Sequence, residues 1–189
     1  SMESRARVHE SLRRLNADVV ALQEIGTTNT LRELRESLAA AGLDYPHWEH
    51  VAGGDTNIFV AVLSRFPITD RRSHARVSYL LHGRRFQLRR GFAEVDIQVT
   101  PQYTFTLLAA HLKSRLDSPL ADQAEIRLAE AGLLRDLVDQ RLRARPDLNL
   151  VVLGDFNDLP RSEPIRKIIG PRGRSALIDT RPGERPPDR

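Results

Sequence analysis

Residues 4 to 16 place Val8, Leu12 and Leu15 at helical spacing between charged positions, which predicts an amphipathic helix. It leads through Ala17-Asp18 into Val19-Val20-Ala21-Leu22, a short apolar run, β-branched at its start, of the kind that forms a strand buried on both faces. A second helix is predicted from about Thr30 to Ala41, closed by Gly42, which suits the left-handed residue after a helix end. Beyond a loop containing Gly53-Gly54-Asp55, Ile58 to Leu63 reads as a strand stopped by Ser64-Arg65-Phe66-Pro67. Residues 92 to 99 alternate apolar and polar, as a half-exposed strand does, and Thr104 to Ala110 is their hairpin partner across Pro101-Gln102. From Pro119 to about Arg143 a long helix is predicted, with Ile126, Ala129, Leu133, Leu134, Leu137 and Val138 on one face, Ser118 as N-cap and Pro119 in the first turn. Leu150-Val151-Val152-Leu153 predicts a third buried strand.

Hairpins mixed with helix-separated strands favour an α/β arrangement in which helices cover sheets. The chain has no internal repeats, and its 189 residues suit one core. We expect a single domain over 3–180 and a flexible tail over 181–189, which holds three prolines and no apolar period. Hydrophobic residues at 40% and charged residues at 29% are ordinary for a folded soluble protein. No apolar run approaches the ~20 residues that span a bilayer, and the N-terminus has no signal-peptide pattern. Ser1-Met2 reads as the remnant of a cleaved tag. A soluble protein is expected, either cytoplasmic or exported after removal of a leader.

The absence of cysteine excludes disulfides, thiolate catalysis and Cys-bound zinc, leaving carboxylate, imidazole and amide groups for a hard cation. The basic residues are almost all arginine, Lys113 and Lys167 being the only lysines, with a formal charge of +4. Arginine forks suit phosphate oxygens, but a codon-biased genome gives the same surface.

Three of the predicted strands run into polar clusters that strand propensity would not choose. These are Gln23-Glu24, His111-Leu112-Lys113-Ser114 and Gly154-Asp155-Phe156-Asn157-Asp158. In α/β folds, residues beyond the carboxyl ends of strands converge on one rim. A carboxylate for a hard cation, a second carboxylate to polarise water and donors for non-bridging oxygens are what metal-assisted attack on a phosphoester needs. Singly, each has a bland reading: a solvated Glu, a hydrogen-bonded rim His, a Gly-Asp turn. Their conjunction at three strand ends favours the chemical one.

These segments, with Leu-Ser-Arg-Phe-Pro-Ile at 63 to 68 and Ala-His-Leu-Lys-Ser at 110 to 114, resemble the successive motifs of the endonuclease/exonuclease/phosphatase superfamily. The resemblance implies a four-layered α/β/β/α sandwich, DNase I-like, with its site at one edge. It implies Mg²⁺ or Mn²⁺ on Glu24, water activation by Asp155, positioning and phosphate binding by Asn157, and donation or proton transfer by His111. Lys113 and Arg127 are further phosphate- or substrate-binding candidates, a solvated lysine and a structural ion-pair partner being the alternatives. Family members open with an Asn-bearing strand and close with one bearing Ser-Asp-His, and neither pattern is found here; His74 and His82 do not fit it. The expectation is therefore a sandwich without its first and last strands, with little turnover of its own and unpaired sheet edges open to homodimerisation.

The leading expectation is a metal-dependent phosphodiesterase or phosphomonoesterase acting on a phosphate-ester substrate. A non-catalytic phosphate-binding or interaction domain is the alternative. A nucleic-acid-binding module is a third, resting on Arg71, Arg72, Arg76, Arg84, Arg85, Arg89 and Arg90, interleaved only with the aromatics Tyr79 and Phe86.

Overall fold

The structure is a computed structural model and describes residues 2–117 and 121–180. In chain order it holds α1 (Met2–Leu15), β1 (Val19–Ile25), α2 (Thr28–Ala40), β2 (His47–Val51), β3 (Phe59–Ser64), β4 (Ile68–Arg71), β5 (Ser78–Leu81), β6 (Arg84–Gln87), β7 (Phe92–Thr100), β8 (Tyr103–His111), α3 (Gln123–Ala144), β9 (Leu150–Asp155) and α4 (Glu163–Ile169). The expected tail over 181–189 and the expected cap at Ser118-Pro119 lie outside the described residues. Helix α3 is capped instead by Asp122, whose carboxylate accepts from the N–H groups of Ala124 and Glu125.

Two sheets stack face to face. One has the order β1-β3-β2 and is antiparallel; the other has the order β4-β7-β8-β9, with β8 and β9 parallel. Period-2 alternation on β3 and β7 sends Val60, Val62, Ala93, Val95 and Ile97 into the layer between the sheets, where Val51, Leu107 and Ala109 complete a dry core. The opposite face of the first sheet packs Ala61 and Leu63 against Leu12, Leu31 and Leu38 of α1 and α2. On the far side, Phe92, Leu108 and Ala110 pack against Ala131, Leu134, Val138 and Ile168 of α3 and α4. The result is helix, sheet, sheet, helix, the four-layered sandwich expected. A separate two-stranded hairpin, β5-β6, turns through His82 and Gly83, whose φ angles of 49° and 74° give the twist such a two-residue turn requires.

Several expectations need correction. Strands β1 and β9 are each paired on one side only, so their apolar runs are half-open rather than buried, and Val151 is 41% exposed. Strand β7 errs the other way: its alternating Glu94 and Asp96 face α3 and the 70–74 segment, not water. The fully buried Glu94 accepts from Arg72 at 2.8 Å, His74 at 2.8 Å and Arg141 at 2.5 Å. Of the three apolar positions expected to seat α1, only Leu12 is buried; Leu15 is 70% exposed. No helix among the described residues is long and apolar enough to cross a membrane.

Candidate active site

The carboxyl ends of β1, β8 and β9 meet on one edge of the sandwich. The pairing of β1 with β3 slips between Leu22 and Ile25, and in that irregularity Glu24 takes a left-handed φ of 57°. A non-glycine residue holds such a φ only where its surroundings impose it, and here the effect is to turn the Glu24 carboxylate out of the sheet, leaving the side chain 67% exposed. His111 ends β8 and is nearly buried, with Nε2 4.0 Å from Glu24 Oε1 and a buried Nδ1 that has no partner. Burial, then the charge of Arg90, lowers its pKa below the ordinary histidine value, with Asp155, Glu24 and Asp55 opposing, so the imidazole is neutral at pH 7.

Asp155 ends β9 directly opposite His111 in the parallel register, and the Leu112 N–H donates to the Asp155 carbonyl at 3.0 Å. The close approach depends on Gly154, whose φ is 142° and whose Cβ, if present, would lie 1.9 Å from the Ala110 carbonyl oxygen. Past the strand the chain folds back at Asn157, φ 51°. Its N–H donates to Asp155 Oδ1 at 2.9 Å, and its side-chain amide donates to the Leu112 carbonyl at 3.0 Å. Asn157 therefore ties the Asp155 carboxylate to the end of β8. Glu24, His111, Asp155 and Asn157 are thus brought together.

Lys113 and Arg127 adjoin this cluster, but their donors are taken up locally. The Lys113 ammonium donates to Ser114 O, Ser114 Oγ and Leu116 O, the last at 2.7 Å, so its donors serve its own loop. Arg127 is 4% exposed, pairs with Asp158 at 2.8 Å and donates to the carbonyls of Lys113 and Ser114. It is a structural clamp that pins the loop after β8 to α3. Of the basic cluster, Arg71 pairs with Glu49, Arg89 with Asp55, and Arg72 with Asp70, Glu94 and Asp96. A continuous free cationic stripe is therefore absent among these residues.

Two charged residues behind the rim, Glu130 and Arg90, have no place in the site by sequence pattern, Arg90 standing there only as one of the basic cluster. Glu130 is 3% exposed, and burial pushes its pKa up to about 7, against the Lys113 N–H it accepts at 2.6 Å and the charges of Arg90, Lys113 and Arg127. Its position one turn from both Ile126 and Leu134, on the apolar stripe of α3, was the available signal. Arg90 donates from Nη1 to the Leu112 carbonyl at 2.5 Å, the same oxygen that accepts from Asn157. An apolar cleft of about 800 Å³ between α1, β1 and α2 borders Gln23 and Glu24 from the helix side.

The Endonuclease/Exonuclease/phosphatase family model matches residues 2–189. The chain belongs to this family. Solved structures agree on the fold. Sphingomyelinase C from Streptomyces griseocarneus matches with a TM-score of 0.65 at 20% identity, over 88% of this chain and 61% of that one. Truncated Caenorhabditis elegans TDP2 matches with a TM-score of 0.58 at 18% identity, over 82% and 55%. A Staphylococcus aureus beta toxin variant with bound magnesium ions matches with a TM-score of 0.62 at 15% identity, over 88% and 61%. The chain thus spans less than two thirds of the length of these neighbours. No curated protein matches it.

Among the described residues no group of three His, Cys, Asp or Glu side chains is arranged around a common metal position. The donor set nevertheless fits an open magnesium site. Mg²⁺ keeps several waters and takes one or two carboxylates, and the exposed Glu24 carboxylate has no Lys or Arg partner among the described residues.

Proposed function

We propose that this chain carries the hydrolytic centre of a divalent-metal-dependent phosphoesterase, cleaving phosphodiester or phosphomonoester bonds, with nucleic acid among the candidate substrates. The observation that carries the reading is the meeting of Glu24, His111 and Asp155 at three strand ends that lie far apart in the sequence. Glu24 holds Mg²⁺ or Mn²⁺, which when bound supplies positive charge to the phosphate and acidifies water. Asp155, fixed by the Asn157 N–H, orients the attacking water and takes its proton. Asn157 is a positioning residue: one hydrogen of its side-chain amide bonds to the Leu112 carbonyl while its backbone N–H holds the Asp155 carboxylate. His111, neutral at pH 7, presents Nε2 toward Glu24 and donates an N–H to a non-bridging oxygen.

The test is Mg²⁺-dependent turnover of bis-p-nitrophenyl phosphate by the wild type and by Asp155→Ala. General-base catalysis contributes roughly 10²- to 10⁴-fold, and a loss in that range is expected. Turnover that Asp155→Ala leaves unchanged would end this assignment. One observation favours a second reading, a non-catalytic phosphate-binding domain: Glu24 belongs to no group of three potential metal ligands among the described residues. Phosphate binding without any metal-dependent turnover would select it.

A further inference from the structure

Within the basic cluster, Arg90 differs from its neighbours. Arg71, Arg72 and Arg89 have carboxylate partners, whereas the half-buried Arg90 has no carboxylate oxygen within 4.0 Å of its guanidinium among the described residues. Its Nε is buried without a partner, and its one hydrogen bond is from Nη1 to the Leu112 carbonyl. That carbonyl also holds Asn157, so the guanidinium lies beside the Asn157 amide and against the Leu112-Lys113 peptide, one residue past His111. The segment that carries it is rigidly seated. A Cβ on Gly53 would meet the Arg89 carbonyl oxygen at 2.4 Å, and the Asp55 N–H donates to the same oxygen at 2.7 Å.

An uncompensated cation in a partly dry site is costly unless an anion completes it. The carboxylates facing this region are Glu24, Asp55, Glu130 and Asp155. Glu24 is the metal ligand of the proposed site, Asp55 pairs with Arg89, Glu130 accepts from Lys113, and Asp155 is held by Asn157. We propose that Arg90 is the phosphate anchor of this site, its guanidinium binding non-bridging oxygens of the substrate while Nη1 keeps the Leu112-Lys113 peptide in place. This rests on the phosphoesterase reading and adds to it the cationic group that neither Lys113 nor Arg127, both committed to the loop after β8, provides. A planar fork with donors left over suits a tetrahedral oxyanion, and a lysine ammonium does so less well.

The experiment is calorimetric titration of inorganic phosphate into the wild type, Arg90→Met, Arg90→Lys and, as a control, Arg127→Met, with melting temperatures taken alongside. Arg90→Met is expected to weaken phosphate binding by about tenfold or more, in line with the loss of a charged hydrogen bond, and Arg90→Lys by an intermediate factor. Arg127→Met is expected to melt earlier and bind phosphate as the wild type does. Equal affinity in Arg90→Met and wild type overturns the proposal, and so does a wild type that binds no phosphate. If Arg90→Met does not fold, Arg90→Lys decides: weakened binding supports the anchor and unchanged binding overturns it. Wild-type turnover that is lost in Asp155→Ala keeps the hydrolytic reading standing in either case, so the two can fail separately.

Discussion

Gly154→Ala puts a methyl group where the structure leaves no room for one. The added Cβ would lie 1.9 Å from the Ala110 carbonyl oxygen, and the backbone φ of 142° is one that only glycine adopts without strain. Side-chain carbons are not found closer than 3.0 Å to such atoms, so β8 and β9 must part by roughly an ångström at the register pair Ala110–Gly154, one residue before His111 and Asp155. Backbone strain of this kind costs about 1–3 kcal/mol. Weakening of the adjacent ladder bond adds about 1 kcal/mol. The total of about 2–4 kcal/mol corresponds to a fall in Tm of about 4–16 °C for a domain of this size. An ångström of misplacement is also enough to lower turnover about 10²-fold. Urea unfolding followed by the fluorescence of Trp48, the chain's one tryptophan, reads the first effect and bis-p-nitrophenyl phosphate turnover the second. A midpoint and a turnover rate both unchanged would refute the claim that Gly154 sets the apposition of His111 and Asp155.

Two further outcomes follow from the packing. Burial pushes the Glu94 carboxyl up, but hydrogen bonds from His74, Arg141 and Arg72 outweigh it and hold the pKa at about 2 against an ordinary 4.5. A depressed carboxylate stabilises the fold above its unfolded pKa and loses that contribution as pH falls. Stability should therefore drop by on the order of 3 kcal/mol between about pH 4.5 and 2, and Glu94→Gln should flatten this part of the profile while destabilising at pH 7. Urea midpoints against pH check both, and a parallel profile in the variant would contradict the assignment. The half-open edges of β1 and β9 predict concentration-dependent self-association by strand pairing. Sedimentation equilibrium reads it, and monomer alone across the accessible range would rule it out.

The main helices, the central strands and the rim were legible because they are local, while the four-layered stacking came from the family resemblance. Glu24, His111 and Asp155 each follow an apolar run, and the residue types name the chemistry before any contact is known. What was not legible depends on distant partners. Val19–Leu22 and Leu150–Leu153 look buried on both faces because composition reports apolarity and not how many strands lie alongside. Glu94 and Asp96 look solvated because their neutralising arginines are distant in sequence, Arg72 standing 24 residues from Asp96 and Arg141 on α3 standing 47 from Glu94. Strand β2 escaped notice because His47-Trp48-Glu49-His50 has no clean alternation, and α4 because it is seven residues long with Pro164 in its first turn. Arg90 reads like any of its neighbours until the Leu112 carbonyl and the carboxylate pairs of Arg71, Arg72 and Arg89 are seen together.

The most direct test of the site is where a divalent ion binds. Mn²⁺ titrated into isotope-labelled protein broadens nuclear resonances around its position. The expected result is early broadening of the His111 ring and of the amides of Glu24, Leu112 and Asp155, no effect on the β5-β6 hairpin, and loss of the effect in Glu24→Gln with the fold intact. Broadening centred elsewhere, or broadening at His111 that survives Glu24→Gln, would contradict it.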